Sequence, residues 1–188
     1  LVFLAVTAEE QGLLGSEHYG ARPVFPLSRT VGGLNIDALY VFGPSEDVTV
    51  IGGGKSELDA HLARALAAQG RTATPDPNPQ AGRYYRSDHF SLAKRGVPMF
   101  YLKTGETLVE GGAEAGHAAY RDYNDKRYHG PDDEYDPNWD WRGVEADLAL
   151  FYDLGRTLAE TRHWPNWHPD DEFRRARDES CAADAGGC

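Results

Sequence analysis

The chain has no apolar run near the roughly 20 residues that a membrane-spanning helix needs. It is also poor in positive charge. Lys and Arg number 19 against 30 Asp and Glu, a formal net charge of -11 over 188 residues. Nucleic acids and anionic membrane surfaces are gripped through basic patches, so this balance argues against both as partners. There is no internal repeat and no heptad array. The triple glycine Gly52-Gly53-Gly54 is not followed by the Lys-Ser/Thr ending of a phosphate loop and lacks the spacing of a dinucleotide fingerprint, which leaves a tight strand-to-helix turn. No nucleophile-elbow glycines flank Ser87, which argues against a serine triad there. Cysteine is nearly absent. Cys181 and Cys188 both fall in the Ala/Gly-rich tail, where they either close a small disulfide loop or stand as two thiols. No methionine or polar lead-in precedes Leu1, which starts inside an apolar run. That beginning is expected of the C-terminal portion of a longer protein with any signal peptide upstream.

What remains is ordinary globular material, with 40% hydrophobic and 26% charged residues. A domain of this length buries roughly 70% of its unfolded surface. An apolar strand is predicted over residues 1–6, a short helix over 11–19, and strands over 30–36, 48–51 and 97–102. Ser56 and Asp59 read as a capping box for a helix over 57–69, with Leu58, Leu62, Ala65 and Leu66 on one face. Ser87 or Asp88 is placed to cap another helix. Val144, Leu148, Phe151 and Leu158 give a stripe for a helix over about 142–161. The glycine-rich stretch 103–125 reads as a long excursion, either a lid or specificity loop or a surface insertion. Strands alternating with helices predict an α/β fold, a mostly parallel mixed sheet with helices on both faces and its N-terminal part absent. Residues 1–162 are expected to form one incomplete domain. Residues 163–188 are expected to form a tail that carries Trp164 and Trp167 among prolines and charges.

The chemistry gathers around Glu9 and Glu10. Two carboxylates side by side at the end of a buried strand repel each other and resist desolvation. A divalent cation offsets this, one carboxylate binding the metal and its neighbour staying free as a base. Asp37 ends the second predicted strand, and in α/β sheets ligands bind beyond the strand C-termini. His129 stands in a turn stiffened by Pro131, with Asp133 four residues on as an acceptor to orient its imidazole.

Four blocks, Thr7-Ala8-Glu9-Glu10-Gln11-Gly12-Leu13-Leu14-Gly15-Ser16, Asn35-Ile36-Asp37, Arg86-Ser87-Asp88-His89-Phe90 and Tyr128-His129-Gly130-Pro131-Asp132-Asp133, follow in one order. That order resembles the co-catalytic di-zinc aminopeptidases, a family with bacterial leucyl aminopeptidases and the glutamate carboxypeptidase II group. The resemblance implies a zinc-dependent exopeptidase that cleaves peptides with a free N-terminus through metal-activated water. It implies Glu9 as general base, Glu10 and His129 as ligands of one zinc, and Asp37 as a ligand of the other. Tyr84, with Tyr85 as second choice, matches a tyrosine that donates to the tetrahedral intermediate. Two zinc ions per complete site are implied, with cobalt or manganese able to substitute in vitro. The resemblance also implies export to the periplasm or beyond the cell.

The chain departs from the family in one respect. Relatives carry a histidine and a metal-bridging aspartate before the Glu-Glu block. None of the seven histidines here stands in that place, and His18 lies on the following helix, directed away from the strand ends. Two ligands for one zinc and one for the other fall short of the usual three. Weak or partial zinc occupancy and no useful turnover are therefore expected of these residues alone. Two alternatives stay open, a non-catalytic binding relative on the same fold and a single-zinc enzyme like glutaminyl cyclase.

Overall fold

The computed structural model describes residues 1–184 and 188. Its centre is a four-stranded mixed sheet, built from β1 (Gly33–Asn35), β2 (Asp47–Val50), β3 (Thr72–Pro75) and β4 (Met99–Thr104) in the order β1-β4-β2-β3. β1 runs parallel to β4, with Asn35 opposite Tyr101, and β2 runs parallel to β3. The β2–β4 pair is antiparallel. The α/β class and the mostly parallel mixed sheet are as the residue pattern predicts.

Alternation along β4 sends Phe100 and Leu102 to one face. There they meet Val48 and Val50 of β2 together with the leucines of α2 (Leu58–Gln69) and α5 (Arg142–Glu160). Leu58, Leu62 and Leu66 are each 1–2% exposed, so the 3.6-residue stripe of α2 is the core face. The N-terminus of α2 is closed by Ser56 Oγ, which accepts the Leu58 N–H at 3.3 Å, while the Asp59 carboxylate turns back to the Gly54 N–H at 3.0 Å. Gly52 and Gly54 take φ of 75° and 82° in the turn before it, where a Cβ on Gly52 would strike the Tyr84 ring. On the opposite face Tyr101 packs with Ala93, Tyr84, Trp167 and Phe173, beneath α1 (Leu14–Ala21) and the short α3 (His89–Ala93). The tail returns to this side. Trp167 is 1% exposed and donates its indole N–H to the Gly96 carbonyl at 2.8 Å. In α6 (Arg174–Ala182), Arg177 is buried and bonds the Leu27 carbonyl at 3.1 Å, and Cys181 is disulfide-bonded to Cys188. No helix among the described residues is long and apolar enough to cross a membrane.

Four expectations change. Residues 1–6 form no strand. Leu1 and Phe3 are 86% and 94% exposed, because a strand needs a neighbour's N–H and C=O groups and none pairs with this segment. The chain is tied down only from Thr7, whose carbonyl accepts the Gly15 N–H at 2.9 Å. The 103–125 excursion is largely a helix, α4 (Gly112–Lys126). β3 is an additional strand just before the proline-rich turn. On α5 the buried face runs through Val144, Asp147, Leu150, Phe151, Leu154 and Leu158, while Leu148 is 47% exposed.

Helices α1 and α3 are pinned by charge as well as packing. Glu17 reaches Arg95 at 2.9 Å, contacts Lys94, and accepts the Ser91 hydroxyl at 3.2 Å. Partial burial works to raise its pKa, but the hydrogen bonds from Lys94 and Arg95 outweigh it and hold the carboxyl down at about 2. A depressed carboxyl adds stability above its unfolded pKa of 4.5 and loses it as pH falls towards 2. Glu17→Gln is expected to cost on the order of 1 kcal/mol at neutral pH, given solvent exposure of the trio. Thermal melts of the two proteins should converge between pH 4.5 and 2; a gap unchanged at pH 3 would show that packing, not charge, sets it.

Candidate active site

The turn that carries the acid pair is tight and partly left-handed. Ala8 and Leu13 have φ of 59° and 60°, Gly12 has φ of 101°, and the Glu9 carbonyl accepts both the Gly12 and Leu13 N–H groups at 3.0 and 2.9 Å. Non-glycine residues in this region cost about 1–3 kcal/mol each and persist only where their surroundings enforce them. His129 shares the feature, with φ of 58° in the turn after α4. These two strained turns bring Glu10 and His129 together, with His129 Nε2 standing 2.8 Å from Glu10 Oε1. The Tyr128 ring stacks on the imidazole, 3.9 Å between centroids and 21° from parallel.

Asp37 follows the end of β1, and its neighbours fix one side of its carboxylate. The Tyr101 hydroxyl donates to Oδ2 at 2.9 Å and Ser87 Oγ donates to the same oxygen at 3.1 Å. Asn35 Nδ2 in turn donates to Ser87 Oγ at 2.7 Å. Among the described residues no hydrogen bond reaches Oδ1. Burial raises the pKa of Glu9, and the negative charges of Asp37, Glu10 and Asp88 push it further, against the pull of Arg86. The four carboxylates thus share one field. Asp88 Oδ1 is buried without a hydrogen-bond partner.

The model of peptidase family M28 matches residues 1–152. The chain belongs to peptidase family M28. This is the family of co-catalytic zinc aminopeptidases and related carboxypeptidases, so the chain is a member of a metallopeptidase family whose substrates are peptides. No curated protein matched it.

Within this M28 chain the quoted residues do not all converge. Glu9, Glu10, Asp37 and His129 gather at the ends of the turns and of β1. Tyr84 is elsewhere. It is 7% exposed, lies against Gly52, stacks on Phe173 at 6.0 Å, and carries Lys55 over its ring at 5.3 Å. Burial raises its pKa, and the charges that add to the effect are Asp171 and Glu172 of the tail, not the acid cluster. Tyr85 turns to the same tail, donating to Glu172 at 2.8 Å. Besides Tyr101, whose hydroxyl is held by Asp37, the phenol in the field of the acids is Tyr128. Its pKa is raised by burial and then by the charges of Glu10, Asp37 and Glu9. Asp133 does not orient His129, because its carboxylate accepts the Tyr123 hydroxyl at 3.0 Å. Of the two candidates to cap α3, Asp88 takes the N-cap position without a side-chain cap bond, and the Ser87 hydroxyl goes to Asp37 instead. His89 is buried between the Tyr84 and Tyr101 rings, and desolvation takes its pKa down to about 3, so it stays neutral.

The donors fit zinc in kind, imidazole nitrogen and carboxylate oxygen, and fall short in number. Among the described residues no group of three or more His, Cys, Asp or Glu is arranged to hold a metal ion. Two cavities, of about 390 and 580 Å³, lie off this centre: Gly52, Leu62 and Pro75 line the first, His61, His163 and His168 the second.

Proposed function

We propose that this chain carries the base and part of the ligand set of a zinc-dependent aminopeptidase, with Glu10 and His129 for one ion and Asp37 for the other. The observation that supports it most is the meeting of Glu10 and His129, residues 119 positions apart in sequence (129 minus 10), through two left-handed turns. Bound zinc would supply an acidified water and an electrophile for the peptide carbonyl. The chain's own part is to hold and move protons. Glu9, which is not among the proposed ligands and lies beside Glu10, would accept a proton and return it to the leaving amine. Tyr128, rather than Tyr84, is the tyrosine in the field of the acids whose hydroxyl is not already given to Asp37, as that of Tyr101 is. The Cys181–Cys188 disulfide supports an exported location, where such bonds persist.

These residues alone are expected to hold zinc weakly and to show no turnover, because three protein ligands is the usual number for catalytic zinc. Zinc stoichiometry and hydrolysis of an aminoacyl chromogenic amide test this, on the 188-residue chain and on a version that supplies a histidine and an aspartate ahead of the Glu-Glu block. Two zincs and turnover in the supplemented form, with both lost or reduced in the chain itself, support the reading. Absence of zinc from both forms would overturn it in favour of a binding protein on a peptidase fold.

A further inference from the structure

We propose that Lys103, together with the Tyr120 hydroxyl, forms a subsite for a carboxylate of the substrate beside the candidate active site. The inference rests on the reading above and adds the class of peptide that reading would serve. Side chains two apart on a strand leave from the same face, roughly 7 Å from one another. Tyr101 and Lys103 of β4 are such a pair, and the Tyr101 hydroxyl ends on Asp37. Lys103 therefore leaves the same face of β4 as the tyrosine that holds a proposed zinc ligand. On its far side Lys103 Nζ donates to the Tyr120 hydroxyl at 2.9 Å, and Tyr120 belongs to the same field as Tyr128, which stacks on His129.

The pairing of this ammonium is unusual for the chain. Of four lysines, Lys55, Lys94 and Lys126 each meet a carboxylate. Among the described residues none pairs with Lys103, although the protein carries 30 acidic side chains. Its surroundings are ring faces instead, with Tyr40 at 5.1 Å and Tyr120 at 5.2 Å from the nitrogen. Aromatic faces tolerate a cation without neutralising it. An ammonium has three N–H donors, and the one given to Tyr120 leaves two for a ligand. Burial of Tyr120 disfavours its ionisation, yet the Lys103 hydrogen bond and charge bring its pKa below the usual phenol value, as a charged neighbour should. A half-buried cation without a counter-ion, with N–H donors to spare, attracts a carboxylate and holds it through charge-assisted hydrogen bonds. Two sources offer that group: the free C-terminus of a short peptide, or an acidic side chain.

The test needs no metal and no turnover, so its failure is separate from failure of the peptidase reading. Metal-free protein is titrated with Ala-Ala, Ala-Ala-amide and Ala-Glu-amide, followed by NMR shifts up to ~10 mM ligand. At least about tenfold tighter binding of Ala-Ala than of Ala-Ala-amide is expected for a charge-assisted contact, and it assigns the free C-terminus. The same preference shown by Ala-Glu-amide instead assigns an acidic side chain. Lys103→Met should abolish the preference and Lys103→Arg should retain it. Equal affinity for acid and amide in the unmodified protein, or no binding of any of the three, overturns the proposal without need of a variant. A preference that survives in folded Lys103→Met overturns it too.

Discussion

Asp147→Ala is expected to destabilise the protein by about 3–5 kcal/mol, the largest loss from any single charged residue here. Asp147 is 2% exposed on the core face of α5, and Arg71, at the entry to β3, has a side chain only 7% exposed. Arg71 Nη2 lies 2.8 Å from Asp147 Oδ1, an ion pair by distance rather than by hydrogen-bond direction, since that oxygen has no aligned donor. The other carboxylate oxygen accepts the Thr104 hydroxyl at 2.9 Å, and Arg71 also donates to Ser45 Oγ and the Asp47 carbonyl, both at 2.9 Å. One pair thus joins α5, β2, β3 and β4. Removal of the acid strands a guanidinium in a place with little water, and that desolvation is the source of the cost. The pair itself need not be strongly stabilising. Arg71→Met with Asp147→Leu should therefore recover most of the loss, although each change removes half of the same contact. Chemical denaturation would separate the two outcomes, and a loss of this size lowers Tm by roughly 6–20 °C for a chain of this length. A double variant as unstable as the single one would show that the pair contributes through its own attraction and hydrogen bonds.

Asp147 also shows where the amino-acid pattern stops being readable. The α5 stripe through Val144, Phe151 and Leu158 was legible, but Leu148 is solvent-facing and a charged residue takes part in the core in a position where apolarity alone would never place it. α4 was hidden for a different reason. It opens with Gly111 and Gly112, contains Gly116 as its one fully buried position, and has few apolar side chains to mark a face. Gly116 is buried because the backbone of Glu106 lies where its Cβ would be, a contact that no periodicity reveals. Residues 1–6 show the converse, since an apolar strand-like run specifies a strand only when a partner edge exists. At the site the motifs carried Glu9, Glu10, Asp37 and His129 to one place, because each lies at the end of a regular element or in a tight turn with its own local signature. Tyr84 was misplaced by neighbourhood: closeness in sequence to Ser-Asp-His says nothing about which way a ring turns, and Phe173 from the distant tail decides it. Tyr101, which holds Asp37 from a strand 64 residues away, had no signal at all.

Adjacent glutamates with separate tasks should give separable defects, and this is the second large effect. Glu9→Gln, in a zinc-loaded form of the protein that turns over, is expected to lower kcat by roughly 10²–10⁴ while metal content stays unchanged. Glu10→Gln is expected to lose metal, and His129→Ala to lose it equally, since the two side chains face each other at 2.8 Å. The structural basis is the different company the two acids keep. Glu9 sits in the negative field of Asp37, Glu10 and Asp88, which favours proton uptake, whereas Glu10 is directed at an imidazole nitrogen. In the metal-free protein Glu9→Gln relieves like-charge repulsion, so there it should melt no lower than the parent protein, a result that keeps loss of activity from being mistaken for loss of fold. Metal analysis of each variant beside its kcat is the deciding measurement. Zinc lost from Glu9→Gln, or zinc retained by Glu10→Gln with only kcat reduced, would exchange the two roles.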